Sequence, residues 1–198
     1  LRRRPEAEGT AMNPLDLETR KGLPDALRVL VEQYPRDLWE SHSNFDGLTR
    51  FWLERHLLFR QVLSELQSET QVFLDRNADA RAHGGRTAQL AGFLINQLHG
   101  HHQIEDHHYF PKLSAADARL ERGFEILDAD HHALDAHLKG LTDDTNTLLR
   151  AINEGRSATD PAGMLEKRLG GFATFLDRHL TDEEELVVPV ILHHGFRL

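Results

Sequence analysis

Residues 99 to 111 read His-Gly-His-His-Gln-Ile-Glu-Asp-His-His-Tyr-Phe-Pro, which puts five histidines and two carboxylates into thirteen positions. A tract of this kind binds metal adventitiously when it is only a solvated surface. The pattern around it decides whether it belongs to a built site. Upstream, Leu90, Leu94 and Leu98 recur at helical steps, and the same stripe continues through His101, Glu105 and Tyr109. That period is a helix, and it carries a histidine and a glutamate onto the face due to be buried.

Three more segments repeat the pattern. The first stripe runs Leu48, Trp52, His56, Phe59, Leu63, Leu66, with Asn44 or Asp46 available as an N-cap. The third runs Leu120, Phe124, Leu127, His131, Leu134, Leu138, Leu141, and the fourth Leu165, Leu169, Phe172, Leu176, His179, Glu183, Val187. Turn residues separate the segments at Asp75 to Arg86 (with Gly84-Gly85), at Ser114 to Asp117 and at Asn153 to Gly163. None shows the alternation of a strand. The expected fold is all-α: an up-down-up-down four-helix bundle with one histidine from each helix in its core.

One histidine on an apolar stripe is usually a core residue with a satisfied hydrogen bond. Four on facing stripes, with Glu105 and Glu183 each one turn after a histidine, are harder to explain that way. An ionised carboxylate in a bundle core costs several kcal/mol unless a cation compensates it, and no Lys or Arg shares these stripes near either glutamate. Residues i and i+4 lie on one helical face, so each His-x-x-x-Glu can present both groups inward.

An internal repeat separates His101 from its neighbours. A shift of 78 residues lays His101, Glu105 and Pro111 on His179, Glu183 and Pro189, while His102 falls on Leu180. A shift of 75 lays His56 on His131 and puts His132 opposite Leu57. The chain therefore reads as two copies of a helical hairpin. Its candidate metal ligands are His56, His101, Glu105, His131, His179 and Glu183. By the same shifts His99, His107 and His108 are surface or flank positions, and His102, Asp106, His108 and Glu184 are candidates for orienting ligands from outside. The proline six residues after each glutamate lacks an amide hydrogen, so each helix should loosen or end there.

Four imidazoles and two carboxylates exceed the four ligands of a closed zinc site and suit two metals sharing two carboxylates. Nitrogen with carboxylate favours iron or manganese over magnesium or calcium. A ferritin-like di-iron bundle would show Glu-x-x-His on two helices, whereas Glu105-His108 has only Glu183-Leu186 as its repeat partner.

Composition narrows the function classes. The 198 residues contain no cysteine, which excludes disulfides, iron–sulfur clusters and thiolate nucleophiles. A formal charge of -9 disfavours nucleic acid and anionic membranes as partners. The longest apolar run, Leu186 to Leu192, is far short of the ~20 residues that span a bilayer. Arg2 to Arg4 are not followed by an apolar stretch, so no signal peptide is expected and the cytoplasm is the expected compartment.

From the two motifs and the two further histidines, the segment 44–195 resembles the hemerythrin-like, or HHE cation-binding, family. The resemblance implies two non-heme iron ions, with manganese or zinc as substitutes, bridged by Glu105 and Glu183. His56 and His101 would serve one iron, His131 and His179 the other. Oxygen-carrying members have a fifth histidine one turn after the third-helix histidine, where this chain has Asp135. That departure speaks against reversible oxygen carriage and leaves a position for Asp135, His132 or water. The implied ligand is dioxygen, peroxide or nitric oxide, met by a binder, a sensor or a weak redox enzyme. The alternative is a non-catalytic, iron-responsive partner-binding regulator or an iron-storage bundle. These residues choose neither between those roles nor an oligomeric state.

Before the bundle, residues 1–22 read as a flexible extension and 23–43 as a capping segment. Pro24-Asp25 opens a short helix, Ala26 to Gln33, that ends before Pro35 and carries Leu27, Leu30 and Val31 on one side. His42, in the following loop, is not expected to be a ligand.

Overall fold

The computed structural model describes residues 13–76 and 79–197, and among them the chain is all-helical, with no strand. After a 3-10 turn at Asp25–Leu27 come α1 (Val29–Gln33), a second 3-10 stretch at Arg36–Ser41, α2 (Gly47–Arg76), α3 (Ala80–Ile104) and α4 (Phe110–Ala116). The chain closes with α5 (Glu121–Asn153) and α6 (Thr159–His194). The four long helices form a ring in which α2 packs on α3 and α6, and α5 packs on the same two. No helix among the described residues is long and apolar enough to cross a membrane.

Local chemistry fixes the boundaries. Of the two N-cap candidates before α2 it is Asp46 that acts, its carboxylate accepting from the Thr49 amide at 2.8 Å. Asp79 does the same for α3 through the Ala82 amide at 2.7 Å. At the end of α6, Gly195 takes a left-handed conformation (φ 63°), and the following Phe196 amide donates back to Ile191.

Two sequence expectations are corrected here. Gly84-Gly85 does not form a turn but lies inside α3. A Cβ on Gly84 would stand 2.8 Å from Ile152 Cδ1, so this glycine lets α3 approach α5 closely. Nor do the helices end at the prolines, although the expected loosening does occur before Pro111. Pro189 is accommodated inside α6, which runs on to His194. Before Pro111 the chain makes one π-helical turn, Glu105–Tyr109, with the Phe110 amide donating to Glu105, and then resumes as α4. Proline has no amide hydrogen and crowds the preceding turn; a one-residue insertion absorbs both effects without breaking the rod.

The apolar interior falls into two clusters. One holds Phe59, Leu66, Leu94, Leu98, Leu134 and Leu176. The other gathers Leu30, Trp52, Phe110, Leu127 and Val187 with the N-terminal segment. Between them, at the level of residues 56, 101, 131 and 179 on the four long helices, the core turns polar.

The N-terminal segment packs onto this frame. Leu27, Leu30 and Val31 are buried, as is Trp39, and α1 lies against α6. Leu17 and Arg20, inside the stretch read as an extension, are also buried; residues 1–12 lie outside the described part. His42 stays in its loop, its Nδ1 accepting from the Asn44 amide at 3.1 Å.

Candidate metal centre

All six candidate ligands converge on the polar layer. His56, Glu105, His131, His179 and Glu183 are buried, and His101 is nearly so. A seventh residue joins them. His102 is 2% exposed and stacks on His131 with ring centroids 4.0 Å apart and planes 13° apart. The ligand atoms fall into two groups, His56, His101, Glu105 and Glu183 in one and His102, His131 and His179 in the other.

Both carboxylates span the two groups. Glu105 Oε1 lies 2.8 Å from His101 Nε2, while its Oε2 lies 3.7 Å from His131 Nε2. Glu183 Oε2 lies 3.3 Å from His56 Nε2 and 3.6 Å from His179 Nε2, and its Oε1 3.8 Å from His131 Nε2. In the first group His56 Nε2 and His101 Nε2 are 2.9 Å apart. Two ligands about 2.1 Å from one ion at right angles would be separated by about that much.

The outward nitrogens are held by carboxylates. His56 Nδ1 donates to Glu184 at 3.0 Å, His131 Nδ1 to Asp106 at 2.6 Å and His179 Nδ1 to Asp130 at 3.2 Å. A carboxylate can only accept, so each ring carries its proton outside and turns the Nε2 lone pair inward. Trp52 Nε1 completes the layer by donating to Glu105 Oε1 at 2.7 Å.

Burial sets the charge states. It lowers His56 to about 4 and pushes His102 well below the ordinary range, and it lowers His179 as well, so these three rings are neutral bases near pH 7. Burial and the adjacent Glu105 carboxylate push Glu183 the other way, well above the usual carboxylate range. Two ionised carboxylates in this layer therefore need a compensating cation.

The inward atoms make the same demand. Among the described residues both ring nitrogens of His102, Nε2 of His131 and of His179, Oε2 of Glu105 and both carboxylate oxygens of Glu183 are buried with no hydrogen-bond partner. Buried polar atoms are seldom orphaned, and seven in one layer is far beyond the usual residue of exceptions. Lone pairs converging from neutral imidazoles and carboxylates are what first-row divalent metals bind. The donor set fits a pair of metal ions.

The remaining histidines lie elsewhere. His107 and His108 are exposed. The His99 ring faces Asp135 at 3.4 Å, with both side chains half exposed. His132 is exposed as well, its Nδ1 lying 2.8 Å from the Asp128 carbonyl. Neither Asp135 nor His132, the two protein groups expected to complete the second metal, reaches the layer. His102 does. The repeat hid it, because its counterpart Leu180 cannot bind metal; the signal that could have found it is that both His101 and His102 lie near the centre of the α3 stripe. Asp130 was also missed, since its repeat counterpart is Arg55.

One cavity reaches this layer from solvent. It has a volume of about 390 Å³, and Leu48, Phe51, Trp52, Arg55, His101 and Tyr109 are among its walls. Leu48, the first position of the α2 stripe, is 39% exposed and lines this opening rather than the core.

The family model described as the hemerythrin HHE cation binding domain matches residues 47–191. No curated protein and no solved structure matches the chain.

Proposed function

The chain belongs to the hemerythrin HHE cation-binding family, and from that premise we propose that it is a non-heme di-iron protein in which a small ligand, dioxygen, peroxide or nitric oxide, reaches one side of the metal pair. His56 and His101 would hold the first iron and His102, His131 and His179 the second, with Glu105 and Glu183 shared. The observation that carries this is the set of seven orphaned buried atoms in one layer, all but the protonated nitrogen of His102 able to offer a lone pair, together with carboxylates that span both groups. The helix contacts support an up-down-up-down order: His56 meets His101 while Glu69 meets His83, and Asp130 meets His179 while Asp144 meets Arg168.

Bound iron would supply Lewis acidity and single-electron reducing equivalents. The protein's part is to hold donors and control access. Glu184, Asp106 and Asp130 fix three imidazoles in the tautomer that turns Nε2 inward, and Trp52 fixes Glu105. The two halves differ in exposure. The second group has three buried histidines, whereas His101 of the first has an edge on the cavity. Ligand therefore enters on the His56 and His101 side, past the apolar walls of Leu48, Phe51 and Trp52. Such walls admit an uncharged diatomic or hydrogen peroxide without a desolvation penalty for charge.

The test is an anaerobic optical titration of the iron-loaded protein with dioxygen, hydrogen peroxide and nitric oxide in turn. At least one should change the near-ultraviolet and visible bands, and Leu48→Trp together with Phe51→Trp, which fill the cavity, should slow that change. Spectra indifferent to all three ligands would overturn the ligand-binding reading and favour an iron-stabilised regulator.

A further inference from the structure

The α6 run Asp182-Glu183-Glu184-Glu185 sends one carboxylate inward and three outward. Each of the outward three takes an arginine from the N-terminal segment, and those arginines are spaced eight residues apart. Arg20 Nε donates to Asp182 at 2.8 Å, Arg28 Nη1 to Glu185 at 2.5 Å and Arg36 Nη1 to Glu184 at 2.7 Å. Two of the three contacts continue to the metal layer. Arg20 also grips both oxygens of Asp130, the carboxylate that holds His179 Nδ1. Arg36 shares with Arg60 the Glu184 carboxylate that holds His56 Nδ1.

The contacts are not equivalent. The side chain of Arg20 is 1% exposed and those of Asp130 and Asp182 are 3% and 0%. Its Nη1 also donates to the Leu15 carbonyl at 2.8 Å, and Arg178, which pairs with Asp182, donates to the Lys21 carbonyl at 2.5 Å. The guanidinium is thus fixed by its own segment and by two helices at once. Arg36 is half exposed, and Arg60 backs it up on the same carboxylate. Removing Arg20 would leave the buried Asp130 without its arginine, while Asp182 keeps Arg178, whereas removing Arg36 leaves Glu184 paired with Arg60.

We propose that the N-terminal segment, residues 13–41, is a strap that positions the metal ligands, with Arg20 acting through Asp130 as the positioning residue for His179. The proposal rests on the two-metal reading of the centre. Arg20 clamps the Asp130 carboxylate with one oxygen toward Nδ1, and that contact fixes the plane of the ring whose Nε2 faces inward. Strap docking and metal occupancy are then linked, and the linkage is reciprocal: metal uptake tightens the strap, and an undocked strap loosens the metal. The effect is lopsided. Loss of Arg20 weakens the site of His102, His131 and His179, and the site of His56 and His101 keeps its Glu184 and Arg60 support.

The experiment loads the full chain with iron-57 and compares wild type with Arg20→Gln, Arg20→Lys and Arg36→Gln by Mössbauer spectroscopy and by anaerobic release to a ferrous chelator. In Arg20→Gln one of the two iron populations should change its spectrum and be held about 10- to 100-fold less tightly while the other keeps wild-type behaviour. Arg20→Lys should recover part of the loss, and Arg36→Gln should change little. A purely structural role would instead loosen both irons in step with the melting temperature, and that outcome, or wild-type retention of both, overturns the proposal. If Arg20→Gln fails to fold, hydrogen exchange on the wild type decides. Iron should slow the amides of residues 13–22 more than those at the start of α6, and equal protection overturns the linkage. Wild-type protein that takes up no iron would overturn the two-metal reading itself, which separates the two failures.

Discussion

Replacing His102 by Leu should act in opposite directions on the metal-free and the metal-loaded protein. His102 is 2% exposed, and neither ring nitrogen has a partner within the protein. An unsatisfied buried polar group costs about 1–3 kcal/mol, and leucine fills a similar volume without one. The substitution forfeits the stack on His131, worth about 0.5–1.5 kcal/mol for an aromatic pair. The net gain for the metal-free chain is about 1 kcal/mol. For a chain of this size, each kcal/mol moves the midpoint by about 2–4 °C, so metal-free His102→Leu should melt roughly 2–4 °C above metal-free wild type. With metal the order reverses. The second site loses one of three histidines, occupancy falls from two ions toward one, and the stabilisation that binding confers on the folded state falls with it. Calorimetry on chelator-treated and iron-loaded samples, with metal content measured on the same material, checks both halves. If His102 were a structural core residue, the substitution would leave occupancy at wild type and the metal-loaded midpoints would not cross; that result refutes the reasoning.

Trp52 lies 4.1 Å from the His56 ring centroid and donates to Glu105, so metal uptake should quench its fluorescence; Trp39→Phe should keep the quench and Trp52→Phe abolish it. Because Glu183 is raised well above its ordinary value, it keeps a proton where ordinary carboxylates have lost theirs, and metal binding expels that proton. The sign follows: apparent affinity falls as pH falls, and Glu183→Gln should remove the proton release seen with a pH indicator. His56 has the reverse shift. Its folded value of about 4 against an ordinary 6.5 means that the metal-free unfolded chain binds more protons between those values, so its contribution falls by roughly 3 kcal/mol as pH drops from 6.5 to 4; denaturant melts of metal-free His56→Leu should be flatter over that window. In α3, Gly85 has open space around it and Gly84 does not. Gly85→Ala should stabilise by about 0.5–1 kcal/mol, and Gly84→Val should destabilise by about 1–3 kcal/mol without changing metal content.

Much of the molecule was legible because its periodicity is strong. Leu66, Leu134 and Leu169 are fully buried, and the stripes that contain them also carry His56, His131 and His179 inward. The 78-residue and 75-residue repeats selected histidines that converge in space. The repeat misled where the two halves differ. His102 has no counterpart, yet it is buried in the polar layer against His131, where the exposed Asp135 does not reach. The prolines were half informative: the helix loosens into a π turn before Pro111, but α6 runs unbroken through Pro189. Arg20 could not be placed from sequence, since its partners lie 110 and 162 residues away and no periodicity links a short irregular segment to them.

The central claim is that seven side chains hold two metal ions, and metal content per folded chain tests it most directly. Protein purified from iron-replete cells, or reconstituted anaerobically with ferrous iron and freed of excess, should carry two irons per chain, reduced toward one in His102→Leu. A folded chain that holds none, or one that keeps its full complement when Glu105 and Glu183 are both replaced by Gln, would contradict the account.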